Sequence, residues 1–101
     1  REYLKSHRLD LPVEIETRTL EEVRQALKEN PDVILFDNMD VGQLREAVSL
    51  VDGRCRTEAS GGITESNLRA VAETGVDFIS IGALTHSVKS MDLSLKVRVS
   101  V

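Results

Sequence analysis

Tryptophan is absent and the only aromatic residues are Tyr3, Phe36 and Phe78, so the 101-residue chain has to build its core from aliphatic side chains. Its one cysteine, Cys55, excludes an intramolecular disulfide and favours a reducing, cytoplasmic location. No apolar run approaches the roughly 20 residues that cross a bilayer, so no membrane partner is expected. Nor is there a basic run. The 13 Lys and Arg are interspersed with 17 Asp and Glu for a formal charge of −4, which argues against a nucleic-acid partner. The first residues, Arg1 to Arg8, lack the apolar stretch of a secretory signal and do not start with Met; they read as the middle of a longer chain.

What is present is a globular composition, 41% hydrophobic and 30% charged, of a length that allows one small domain. Apolar runs recur at Val13 to Ile15, Val33 to Phe36, Cys55 to Ala59 and Val76 to Ile81. Between them lie residues at helical spacing: Leu20, Val23 and Leu27, then Val41, Leu44, Val48 and Val51, then Leu68, Val71 and Ala72. Thr19 with Glu22, Asp40 with Gln43, and Thr64 can each satisfy orphan amides at a helix start, while Asn30-Pro31, Gly53 and Gly75 can end the helices.

The pattern is therefore β-α-β-α-β-α-β. Crossover helices let successive strands run parallel, and near-continuous apolar strands suit a sheet covered on both faces. Periodicity alone leaves open whether these α/β units are half of a (β/α)8 barrel or most of a doubly wound sheet.

Such folds place their chemistry where strands end. By this reading Glu14 and Glu16, Asp37-Asn38, Glu58 to Gly62, and Gly82-Ala83 gather on one rim. Carboxylates there suit Mg²⁺, which binds through a few acids, waters and substrate phosphates. The plainer alternative pairs Glu14 or Glu16 with a lysine of a neighbouring strand. Ser60-Gly61-Gly62 before a helix offers bare amides to a phosphate or is only a tight corner; Gly82-Ala83 on the next strand adds a second small-residue loop. His86, just beyond, is either a phosphate donor or a structural hydrogen-bond partner, whereas Cys55 reads as a buried core residue. His7 and Tyr3 carry no site assignment.

The strings Val13-Glu14-Ile15-Glu16, Leu35-Phe36-Asp37-Asn38, Glu58-Ala59-Ser60-Gly61-Gly62-Ile63, Thr74-Gly75-Val76-Asp77 and Ile81-Gly82-Ala83-Leu84-Thr85-His86-Ser87 resemble, in order and spacing, the carboxyl-terminal part of quinolinate phosphoribosyltransferase, the carboxylating nicotinate-nucleotide pyrophosphorylase. The resemblance runs from about Leu11 to Val97. It implies that residues 1–101 are the last β/α units, about half, of a TIM-like α/β barrel, with the amino-terminal domain and first barrel half absent.

It further implies transfer of a phosphoribosyl group from phosphoribosyl pyrophosphate to quinolinate, with Mg²⁺, giving nicotinate mononucleotide, CO2 and pyrophosphate on the way to NAD, in a homodimer or higher homo-oligomer. Glu14 and Asp37 would be the acids near ribose and metal, Ser60, Gly61, Gly62 and Gly82 the cradle of the 5′-phosphate, and His86 its neighbour.

Two departures stand out. The basic cluster that holds quinolinate in the family comes from upstream segments and a partner subunit, and its motifs are missing here, so the isolated chain is expected to be inactive. Phe36 stands where the family usually has Leu, a volume change that a core can absorb. A non-catalytic phosphate- or nucleotide-binding module that works only with a partner chain is the alternative, and a folding fragment without a competent site a further one. Leu93 to Val99 alternates like a closing strand.

Overall fold

The computed structural model describes residues 12–91. The strand expected from Leu93 onward, and Tyr3 and His7, lie outside these residues. Four strands alternate with three helices in chain order: β1 (Glu14–Thr17), α1 (Leu20–Leu27), β2 (Val33–Asp37), α2 (Val41–Val51), β3 (Arg56–Ser60), α3 (Leu68–Ala72) and β4 (Phe78–Ile81). A further strand, β5 (Leu84–Ser87), follows, and a 3-10 turn at Val88–Ser90 closes the described chain. Spatial order equals chain order, β1-β2-β3-β4-β5, with parallel pairing from β1 to β4.

Local chemistry explains the first two helices. The Thr19 hydroxyl accepts from the Glu22 amide at 3.1 Å, and Asp40 and Gln43 form a reciprocal capping box at the start of α2. Left-handed backbone at Asp52 caps α2, while α1 ends at Lys28 in a tightened last turn, with the left-handed Asn30 two residues further on. The third helix spans just its apolar positions, Leu68–Ala72, and is shorter than a start at Thr64 would make it. Thr64 does not open it; the Asn67 carboxamide instead accepts from the Thr64 amide at 2.8 Å and donates to the Gly62 carbonyl at 2.9 Å, so residues 64–67 are held as a turn.

The small-residue loop expected at Gly82-Ala83 is a two-residue turn: Gly82 takes φ 62° and the chain reverses, so that Leu84 to Ser87, given no element by the sequence, pairs antiparallel with β4. One more expectation needs correction, since the sheet is covered on one face only among the described residues. Ile34, Phe36, Ala59 and Ile79 point into a core with Val23, Ala26, Leu44, Ala47, Val51, Leu68 and Val71, and Phe36 is completely buried there. The other face carries the alternate positions Glu14, Glu16, Val33, Leu35, Arg56, Glu58 and Phe78, each exposed or half-buried.

Aspartates at the amino ends of strands set the register. Asp32 accepts from the Val13 amide at 2.6 Å and donates its own amide to the Val13 carbonyl at 2.8 Å. Asp77 accepts from both the amide (2.9 Å) and the hydroxyl (3.2 Å) of Thr57, which is 3% exposed. Removing a charged acceptor leaves such donors without their partner, so Asp77→Ala should cost about 2 kcal/mol of stability. A lower urea midpoint at unchanged slope is the expected readout; an unaltered midpoint would show that the aspartate is dispensable.

Candidate functional site

At the carboxyl ends of the strands the chain leaves β1 at Arg18, β2 at Asp37-Asn38, β3 at Ser60-Gly61-Gly62 and β4 at Gly82. Register places Asp37 beside Ser60 and Ser60 beside Ser80, all on the uncovered face. Asn38 has φ 59° and donates its amide to the Ser60 carbonyl at 2.7 Å, tying the end of β2 to the end of β3.

The glycines follow from that junction. Gly61 (φ 81°) could not carry a Cβ without meeting Asp37 Oδ1 at 2.9 Å and the Asn38 nitrogen at 3.1 Å; at Gly62 (φ 70°) a Cβ would sit 3.0 Å from Asn38 Oδ1. The acid and the glycine loop are therefore a single interlocked unit. A cavity of about 310 Å³ opens behind it, with Asn38, Asp40, Ser60 and Asn67 at its rim and Phe36 and Leu44 on its floor.

Asp37 is half-buried and ion-paired, with Arg18 Nε 3.1 Å from its Oδ2. This contact, with Glu16 3.7 Å away on the other side, strengthens the guanidinium's hold on its proton. On the same face Ser80, level with Ser60, reaches down to donate to Glu58 and lies 2.9 Å from the Thr85 hydroxyl, and deeper still Arg56 stacks 5.9 Å above the Phe78 ring.

The acids do not share one rim. Glu14 is the first residue of β1 and pairs with Val33, four positions before Asp37, a separation of about 13 Å along the strand. Glu16 and Glu58 lie at the middle level, both in register with Leu35. Partial burial pushes the Glu14 carboxyl upward, with Glu58 and then Glu16 adding repulsion, so the acids on this face feel one another. Among the described residues no group of three or more acids, histidines or cysteines is arranged to hold a metal, and Glu14 and Asp37 are not brought together. Of these four acids, Asp37 is the one that stands at the rim.

His86 pairs with Ile79 and so points to the helix-covered face, away from the row of Asp37, Ser60 and Ser80. Gly82 occupies the hairpin turn with open space around its Cβ position. Cys55 is half-buried against the core, and desolvation raises its thiol pKa, as befits a packing residue. Sequence reading missed Arg18, which was visible only as the residue following an alternating strand. It placed Asn38 on the rim beside Asp37 but gave it no role; its clue was an Asn at a strand end, where left-handed backbone is tolerated.

The sequence pattern of the family described as quinolinate phosphoribosyl transferase, C-terminal domain, matches residues 1–96. The chain belongs to this family. It is 46% identical over 111 aligned residues to a mitochondrial quinolinate phosphoribosyltransferase [decarboxylating] of Nicotiana tabacum, with 95% of this chain and 32% of that protein covered. A probable nicotinate-nucleotide pyrophosphorylase [carboxylating] of Bacillus subtilis is 47% identical over 94 residues, covering 93% of this chain and 32% of the relative. The crystal structure of nicotinate-nucleotide pyrophosphorylase from Ehrlichia chaffeensis superposes with a TM-score of 0.71 at 36% identity, over 79% of this chain and 29% of that one. The chain thus spans about a third of the length of these family members.

Proposed function

We propose that this chain supplies the 5′-phosphate cradle and the ribose-facing acid of a quinolinate phosphoribosyltransferase. The observation that carries the reading is the Asn38 amide bonded to the Ser60 carbonyl, which holds the Asp37 carboxylate against Ser60-Gly61-Gly62. Amides and a hydroxyl at a glycine loop suit phosphate oxygens, and a carboxylate one strand away suits ribose hydroxyls. Gly82, on the next strand, extends the small-residue rim; His86 is left aside, since it faces the helices.

In the reaction so read, the bond from ribose C1 to diphosphate breaks and the quinolinate nitrogen gives its electron pair to C1. The ring, now cationic, then takes up the electrons left by departing CO2, and a proton replaces the carboxyl group. The negative Asp37 steadies the positive charge that grows on the ribose at C1. Mg²⁺, if it came bound to the diphosphate, would supply charge neutralisation for that leaving group. Glu14, on the uncovered face well below Asp37, would face the interior if a barrel closes over this sheet.

Closure into a TIM-like barrel, a homo-oligomeric assembly and a cytoplasmic location belong to the same proposal. No described helix is long and apolar enough to cross a membrane, while tobacco and Arabidopsis relatives are named as mitochondrial and chloroplastic.

The test uses the full-length protein, with calorimetry of phosphoribosyl pyrophosphate with and without Mg²⁺ alongside an assay of nicotinate mononucleotide formation. Magnesium-dependent binding with turnover on the order of 1 per second is expected. Binding without turnover would select the non-catalytic module instead, and absence of both would overturn the reading.

A further inference from the structure

Arg18 has no role in the reading so far, yet it completes a row. Thr17 pairs with Phe36, which brings Arg18 level with Asp37, and Asp37 in turn is level with Ser60. Crossing the sheet from β3 to β1 one meets a phosphate-type loop, a carboxylate and a guanidinium, at about 4.8 Å per strand, so that Arg18 lies about 10 Å from Ser60.

Its placement is fixed at both ends. The Arg18 amide donates to Glu22 Oε1 at 2.6 Å, which ties the backbone to the first turn of α1. The side chain holds Asp37 through Nε and leans toward Glu16 through Nη2, yet remains 69% exposed, so other donors of the guanidinium face solvent above the rim.

We propose that Arg18 recognises the diphosphate end of the substrate and distinguishes phosphoribosyl diphosphate from a simple ribose phosphate. The inference rests on the functional reading above. A sugar anchored by its 5′-phosphate at Ser60-Gly61-Gly62 and crossing Asp37 carries its C1 substituent toward β1, and an anionic substituent there meets the guanidinium. Asp37 keeps that guanidinium extended along the rim until the ligand arrives, which lowers the ordering cost of binding. A ribose 5-phosphate, with only a hydroxyl at C1, gains nothing from it.

The experiment compares the full-length protein with its Arg18→Ala and Arg18→Lys variants, titrating each with inorganic diphosphate and with ribose 5-phosphate, and measuring KM for phosphoribosyl pyrophosphate. Arg18→Ala should weaken diphosphate binding and raise KM by roughly tenfold, the usual weight of one charged contact. Ribose 5-phosphate affinity and the melting temperature should stay unaltered, and Arg18→Lys should recover most of the loss. Equal weakening of both ligands would mean that Arg18 only positions Asp37, and unaltered diphosphate binding would remove the role altogether. Should the unmodified protein bind neither ligand, the functional reading falls first; binding there with an indifferent Arg18→Ala defeats this inference alone.

Discussion

Gly61→Ala should lower kcat/KM of the full-length protein by roughly a hundredfold, far more than a single methyl group costs at an ordinary surface position. Two effects combine. A side chain at φ 81° carries left-handed strain of about 1 kcal/mol. Its Cβ would also stand 2.9 Å from Asp37 Oδ1 and 3.1 Å from the Asn38 nitrogen, so the acid and the loop must part. The second effect reaches both proposed binding groups at once.

Gly82→Ala is the informative control, because Gly82 has a positive φ but nothing within 4 Å of its Cβ position. It should show the strain without the displacement, and about a tenfold smaller loss. If the two variants lose activity equally while both stay folded, the interlock between the loops has no part in function.

The second large effect is expected at Asp37. Asp37→Asn keeps the shape and removes the charge, and removing one preorganised electrostatic group from such a site costs on the order of a hundred- to a thousandfold in kcat. Thermal stability should barely move, because the Arg18 partner is 69% exposed and exposed ion pairs contribute little. Combined with Gly61→Ala, the loss should fall well short of the product of the two single losses, as expected for groups in direct contact. Full multiplicativity would mean that the loop and the acid act independently.

How far these features could be read from the sequence depended on whether their cause was local. Thr19, Asp40 and Gln43 announced α1 and α2 because caps act within four residues, and the apolar runs announced four parallel strands because alternation with helices leaves little choice. The family strings pointed at Asp37 and at Ser60-Gly61-Gly62, which the structure brings into contact.

What escaped was set at a distance. Asp32, by gripping Val13, starts the pairing so early that Glu14 falls at the amino end of β1 and Thr17 at its carboxyl end, and no spacing within Val13 to Glu16 reveals that shift. The Arg18 contact with Asp37 bridges neighbouring strands across a helix, so neither residue signals the other in the chain. His86 looked like a site residue in its string, but the reversal at Gly82 turns it to the opposite face from Ser80.

The agreement of spatial order with chain order also bears on how the molecule comes into being. Glu14 meets Val33, Val33 meets Arg56 and Glu58 meets Phe78, so each parallel ladder closes a loop of roughly twenty residues and never waits for a distant segment. Parallel sheets are ordinarily slow to form because their contacts are far apart in sequence. Here each added unit meets a docking edge made by the one before, and the sheet can grow by accretion in the direction of synthesis while the nascent chain emerges.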